Sequence, residues 1–349
     1  MYLATYETAA GALMRRTLSD AIWRFKGCSR RGLAVTTRAR CRTMKIKIGF
    51  GLGTTAASAV DGESFWTIVD ACESLGWDSL WFSERVSGPT FGPLASMAAA
   101  AGRTRRLKLG PSVLVVPGRN PVLLAKELAT IDVLSKGRLV TAFGLGVEDA
   151  REQRVFGVDR EEAAGRTEEA VALMRRLWTE DEVTHDGRYF HVRELRLQPR
   201  PVQKPPDIWF GGYSRAALRR TAELGTGWLP SFVAAEEYRQ KADVIRELAA
   251  HAGRTIDEEH YGALIPYVAK RAVADAAPIL AAIAARRPHA DPQKLIVFES
   301  NGDLAAHVEA FIAAGASKFV IVPLVAPADW REELARLFET VVRPLEGTR

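Results

Sequence analysis

The sequence predicts an α/β protein folded as a (β/α)8 TIM barrel, with a hairpin inserted between the fourth and fifth strands. Three observations predict it. Strand-like and helix-like segments alternate from Met44 almost to the C-terminus. Eight segments read as buried parallel strands, beginning at positions 46, 78, 107, 138, 207, 227, 260 and 319. Glycines gather where several of those strands end. Eight β-α units in about 300 residues are the signature of a barrel with insertions.

Ile46–Leu52 is an apolar run short enough to be a strand. Asp61–Gly76 follows with helical spacing of Phe65, Ile68, Val69, Cys72 and Leu75, between an N-cap aspartate and a terminating glycine. Strands at Asp78–Ser83, Leu107–Val116 and Arg138–Gly144 alternate with helices at Pro93–Gly102, Val122–Leu134 and Glu161–Trp178. The rhythm breaks at Glu182–Leu197, which alternates as a hairpin around Asp186-Gly187. Pro199–Pro206 carries too many prolines for a helix or a central strand. Alternation then resumes: strands at Asp207–Phe210, Gly227–Leu229, His260–Val268 and Phe319–Pro323, helices at Ser214–Gly225, Glu236–Ala252, Val273–Arg287, Gly302–Gly315 and Asp329–Pro344. A doubly wound sheet would need a glycine-rich turn opening a helix after the first strand. Gly49-Phe-Gly-Leu-Gly53 lies inside the strand, and no helix begins before Asp61.

Residues 1–43 hold nine Lys/Arg against only Glu7 and Asp20, whereas 44–349 hold 39 basic and 40 acidic residues. The basic pI therefore belongs to the tail, and the near-neutral body has no basic stripe for nucleic acid. The tail is arginine-rich, acid-poor and seeded with Ser and Thr, a transit-peptide composition. It lacks sustained periodicity, and Met44 directly precedes a good strand. Residues 1–43 are expected to be a disordered or spurious extension, and 44–349 the barrel. Deleting 1–43 should leave the melting temperature and ligand affinity unchanged; a drop of many degrees would contradict this. No apolar run reaches the roughly 18 residues of a membrane span. Cys28, Cys41 and Cys72 form no CxxC pair, so neither a disulfide framework nor a zinc site is expected, and a reducing cytoplasm fits best.

In a barrel the reactive groups come from the C-terminal strand ends. Here these ends include Gly53, Ser83-Glu84-Arg85, Ser112-Val113, Gly144-Leu-Gly146, Gly211-Gly212-Tyr213-Ser214 and Trp228-Leu229-Pro230. Glycines let a flat ring or a phosphate approach the backbone, although any one of them is as readily an ordinary turn. Gly211–Ser214 joins a strand to a helix N-terminus, where free N–H groups and the helix dipole attract phosphate. Ser214 is a fair N-cap as well. Glu84 or Arg85 reaches the mouth, since neighbours on a strand face opposite ways. Glu84 is the expected inward group, a carboxyl that burial would bring toward neutral pH. Arg85 is expected to steady a carboxylate or an anionic cofactor. The histidines show no metal spacing. Tyr267 is a weaker candidate for the substrate pocket.

Leu80-Trp-Phe-Ser-Glu84, Leu109-Gly-Pro-Ser-Val-Leu, Pro117-Gly-Arg-Asn-Pro121, Leu134-Ser-Lys-Gly-Arg138, Ala142-Phe-Gly-Leu-Gly146, Ile208-Trp-Phe-Gly-Gly212 and Gly225-Thr-Gly-Trp-Leu-Pro230 resemble, in collinear order, the luciferase-like superfamily. Within it the chain most resembles the deazaflavin (coenzyme F420)-dependent branch found in actinobacteria, rather than the FMN-dependent luciferases and alkanesulfonate monooxygenases. The resemblance implies a homodimer and a cofactor on the strand ends, its phosphate near Gly211–Ser214. It implies hydride transfer at the deazaflavin C5 with a small-molecule substrate, a cis peptide at Ser112-Val113, and Trp228 as a pocket wall. FMN is the alternative cofactor, with a separate reductase supplying it. Two departures stand out. Arg85 occupies the place where many deazaflavin members carry a histidine, and arginine cannot act as a general acid near neutral pH. Val147 stands where some relatives carry a carboxylate, with Glu148 one residue later. A non-catalytic flavin-binding relative is therefore a third reading.

Overall fold

The structure, a computed structural model, describes residues 44–147, 149–269, 277–299 and 303–348. The extension 1–43 and Glu148 lie outside the described residues. Eight parallel strands close into a barrel: β1 (Lys45–Leu52), β2 (Ser79–Phe82), β3 (Lys108–Pro111) continued by β4 (Leu114–Val115), β5 (Thr141–Gly144), β8 (Ile208–Phe210), β9 (Gly227–Trp228), β10 (Gly262–Val268) and β12 (Lys318–Pro323). Phe50 pairs with Leu80 on one side and Ile321 on the other. Bridges Leu109↔Leu139 and Trp228↔Tyr261 close the remaining gaps. An antiparallel pair, β6 (Val183–Asp186) and β7 (His191–Leu195), lies between β5 and β8 in the chain. Two short strands were not expected: β11 (Val297–Phe298) beside β10, and β13 (Gly347–Thr348) antiparallel to β1.

Period-two alternation sorts the strand side chains into two layers. Ile46, Ile48, Phe50, Leu80, Phe82, Phe143, Ile208, Phe210, Phe319 and Ile321 face the helices and form the main core. Their neighbours Trp81, Ala142, Trp209, Leu229, Val320 and Val322 fill the barrel interior. Glycine makes that filling possible. A Cβ on Gly110 would lie 2.7 Å from the Trp81 ring, and one on Gly227 2.4 Å from the Trp209 ring. The glycines of the first strand serve the same packing: a Cβ on Gly49 would meet Trp81 Nε1 at 2.9 Å.

The helices obey their end signals. In α1 (Gly62–Leu75), Asp61 accepts a bond from the Ser64 N–H, and Gly76 closes the helix at φ 94°. α2 (Pro93–Arg103) is followed by α3 (Pro121–Ser135), which starts with Asn120 as cap and proline at its first position. A short helix, α4 (Ala150–Phe156), precedes α5 (Arg160–Thr179) and escaped the sequence pattern, its seven residues being too few to show a period. α6 (Arg215–Leu224) and α7 (Ala235–His251) follow β8 and β9. α8 (Ala277–Arg286), α9 (Leu304–Ala313) and α10 (Trp330–Leu337) complete the set. The first residues expected of the helix at 273 lie outside the described set. Arg138, expected to open the fourth strand, is instead an anchor, its guanidinium donating to the carbonyls of Leu107, Thr104 and Ala101. No helix among the described residues is long and apolar enough to cross a membrane.

Candidate active site at the barrel mouth

The sharpest convergence at the strand ends is built around Val113. The expected strand Leu107–Val116 divides at Ser112, and the Ser112–Val113 peptide is cis. Beyond that break the Val113 side chain leans over two neighbouring strands. A Cβ on Gly144 would lie 2.5 Å from its Cγ2, and one on Gly211 3.0 Å from its Cγ1. Three strand ends thus meet on one half-buried valine, with two bare backbones beside it. The Ser83 hydroxyl reaches the same place, donating 3.1 Å to the Ser112 carbonyl and lying 3.2 Å from the Ser112 hydroxyl.

Gly212 follows at φ 89°, a left-handed conformation that L side chains resist. It turns the chain so that Ser214 caps α6, its hydroxyl accepting from the Ala217 N–H at 3.3 Å. Tyr213 lies half-buried between two cations that sequence reasoning missed. Lys241 Nζ donates to its carbonyl at 3.0 Å, and the Arg287 guanidinium sits 4.3 Å from its ring centroid. Glu237 pairs with both, at 3.4 Å from Lys241 and 2.7 Å from Arg287. Lys241 lies in α7 and Arg287 just beyond α8, so no local spacing could have linked them to Gly211–Ser214.

Several expectations need correction. Glu84 does not present a free carboxyl to the barrel axis. Alternation puts Trp81, and with it Ser83, on the inner side, leaving Glu84 directed across to the neighbouring strand. There it accepts the Val115 N–H at 2.6 Å and pairs with Arg119, its side chain only 7% exposed. Burial raises its pKa, while Arg119 and the Val115 N–H oppose the rise. Arg85 is committed to protein carboxylates, at 3.6 Å from Asp149 and 3.8 Å from Glu152. Glu152 is itself buried, taking the Ser87 N–H at 2.8 Å, the Val86 N–H at 3.0 Å and the Ser87 hydroxyl. These bonds tie the loop after β2 to α4.

Trp228 is no pocket wall. It is fully buried, stacked on Tyr238 with centroids 4.9 Å apart, and its indole N–H donates to the Gly212 carbonyl at 2.9 Å. It braces the glycine turn from behind. Trp228→Phe removes that bond and leaves a void where part of the indole lay; a stability loss of about 2–3 kcal/mol in chemical denaturation is expected. Gly53 is buried, and the groups that need its missing side chain are the Ser58 hydroxyl and the Pro323 carbonyl, 2.8 and 2.9 Å from a built Cβ. Its missing Cβ serves that packing. Tyr267 is likewise buried, its hydroxyl donating 2.8 Å to Glu333 on α10. Gly146 does stay at the mouth, at φ 83°, 3.2 Å from Val115 Cγ1 for a built Cβ.

A small cleft nearby is bordered by Glu84, Val115, Gly146, Val147, Glu152 and Phe156. Gly146, two residues beyond Gly144, lines it, whereas Val113, Gly144 and Gly211 do not.

Comparison with known proteins agrees with this architecture. Residues 44–322 match the family model described as luciferase-like monooxygenase. The chain is 30% identical over 206 residues to a phthiodiolone/phenolphthiodiolone dimycocerosates ketoreductase of Mycobacterium sp. strain JLS, covering 55% of this chain and 53% of that one. It is 31% identical over 198 residues to an F420-dependent glucose-6-phosphate dehydrogenase of Amycolatopsis mediterranei, covering 53% and 59%. The match thus spans little more than half the length of these curated relatives. Among solved structures, an F420-dependent secondary alcohol dehydrogenase in complex with an F420–acetone adduct superposes with a TM-score of 0.71 at 20% identity, over 86% of this chain and 99% of that one, which bears on the fold alone. A family match running from the first barrel strand into the last, on a barrel of this topology, carries one conclusion: the chain belongs to the luciferase-like monooxygenase family.

Proposed function

We propose that this chain is an oxidoreductase using the deazaflavin coenzyme F420, held on the C-terminal strand ends, to act on a small organic molecule. The observation that carries the reading is the meeting of Val113, Gly144 and Gly211 beside a helix N-terminus at Gly212–Ser214. A flat tricyclic ring needs an apolar ledge and neighbouring backbone without Cβ atoms; its phosphate needs N–H groups aimed at it. When bound, the ring supplies hydride transfer at C5. The protein's part is to place it. Val113 supports the ring, Gly144 and Gly211 admit it, and the first turn of α6 holds the phosphate with Lys241 and Arg287 nearby. Glu84 fixes the Val115 backbone, and with it the segment that carries Val113. A relative named for F420 use, 31% identical in sequence, supports the choice of deazaflavin over FMN. Titration of the purified chain with F420 and, separately, FMN, followed by fluorescence quenching, tests this directly. Saturable binding of F420 is expected. Tighter binding of FMN would transfer the reading to an FMN-dependent monooxygenase, and binding of neither would overturn it.

A further inference from the structure

We infer that Lys318 is an acylation site, its ε-amine accepting a short acyl group from a thioester at the N-terminal mouth of the barrel, the end opposite the glycine bed. Strand alternation places it there. Val320 and Val322 of β12 fill the barrel interior, and Lys318, the first residue of that strand, falls on the same side in period two. It stands in register with Lys47 of β1 and with Gly262, the first residue of β10.

The neighbouring charges at this mouth are matched, and that of Lys318 is not. Lys47 pairs with Glu346 at 2.5 Å, and Lys108 with Asp78 at 3.1 Å. Asp207 takes the Thr226 hydroxyl at 3.0 Å and lies 3.8 Å from His260. Among the described residues Lys318 Nζ has no hydrogen-bond or ion-pair partner; it rests over the Trp209 ring, 5.7 Å from the centroid. Burial disfavours its charged form and Lys108 adds to that, while Asp78, Asp207 and Glu259 oppose it only in part, so its pKa lies below the ordinary lysine value. The indole face favours the cation and takes back a share of that shift. More of the neutral, nucleophilic amine is therefore present near neutral pH than on a solvated lysine. The residue is only partly buried, which leaves it within reach of a small electrophile. The amine adds to the thioester carbonyl carbon, the C–N bond forms as the C–S bond breaks, and the thiolate leaves with the electron pair. The amine's proton passes to that thiolate or to water. The resulting amide carries no charge, so its burial costs less than that of the ammonium.

The experiment treats the full chain with the thioester S-acetyl-N-acetylcysteamine at about pH 7.5 and at about pH 10.5, below and near the titration of a solvated lysine. Circular dichroism checks the fold at both, and peptide mass spectrometry reads acetylation lysine by lysine. The exposed Lys136 and Lys204 serve as references. Access enters the ratio of Lys318 to reference labelling equally at the two pH values and cancels, so the change in that ratio reports protonation alone. The ratio is expected to be about threefold or more higher at the lower pH. An equal ratio at both, with the fold retained, would overturn the inference. So would a Lys318 left unmodified while Lys136 and Lys204 react.

Discussion

Glu84→Ala is expected to lower stability by about 2 kcal/mol and turnover by about 10²-fold, while Glu84→Gln retains most of the turnover at an intermediate stability. The carboxylate bridges the Val115 N–H and Arg119, so alanine leaves a buried donor and a cation without their acceptor. Removing one partner of a fully buried ion pair costs about 3–5 kcal/mol. Arg119 is 27% exposed and recovers part of that in water, hence the smaller figure. The effect on turnover comes through position. Val115 lies two residues from Val113, and a misplacement of about 1 Å at a reacting centre can cost about 10²-fold. Glutamine keeps a carbonyl oxygen for the Val115 N–H, although its NH2 then faces the Arg119 guanidinium and that ion pair is lost. Were Glu84 a general acid or base, glutamine too would cost about 10²–10⁴-fold. Chemical denaturation and turnover followed by cofactor absorbance separate the cases: equal collapse of Gln and Ala variants would restore Glu84 to proton chemistry.

Gly212→Val is expected to weaken cofactor affinity by well over tenfold, more than about 1.4 kcal/mol. The position has φ 89°, which a β-branched residue resists strongly, and even a Cβ would stand 3.1 Å from the Ala217 methyl. Relief requires the turn to shift, and with it the first N–H groups of α6 that the proposed phosphate would need. The barrel does not depend on this turn, so the variant should fold with a modest loss of melting temperature. Affinity comes from the quenching titration. A folded Gly212→Val protein that binds F420 or FMN as wild type does would remove the phosphate from this helix end.

Much of the barrel was legible because its signals are local. The eight strands announce themselves by mostly apolar runs three to ten residues long, and helix ends by Asp61, Gly76, Asn120-Pro121 and Ser214. Period two and period 3.6 are properties of neighbouring residues, readable without knowing the fold. The turn at Gly211–Ser214 and the division at Ser112–Val113 were likewise visible, the first from its place between strand and helix, the second through family resemblance.

What the tertiary structure alone decided is which polar groups are already taken. Glu84 is spent on residues 31 and 35 positions away, and Glu152 on Ser87, 65 positions away. No spacing rule spans such distances, because barrel closure, not local conformation, brings those strands and loops together. The same closure turned Trp228 inward behind Gly212, gave Gly53 to Ser58 and Pro323, and drew Lys241 and Arg287 to Tyr213. Composition determined that this chain has enough apolar residues for a core and a tail unlike its body. Only the packed barrel determined which backbone remains bare at the mouth, since a missing Cβ matters only where another segment, or a ligand, comes within van der Waals reach.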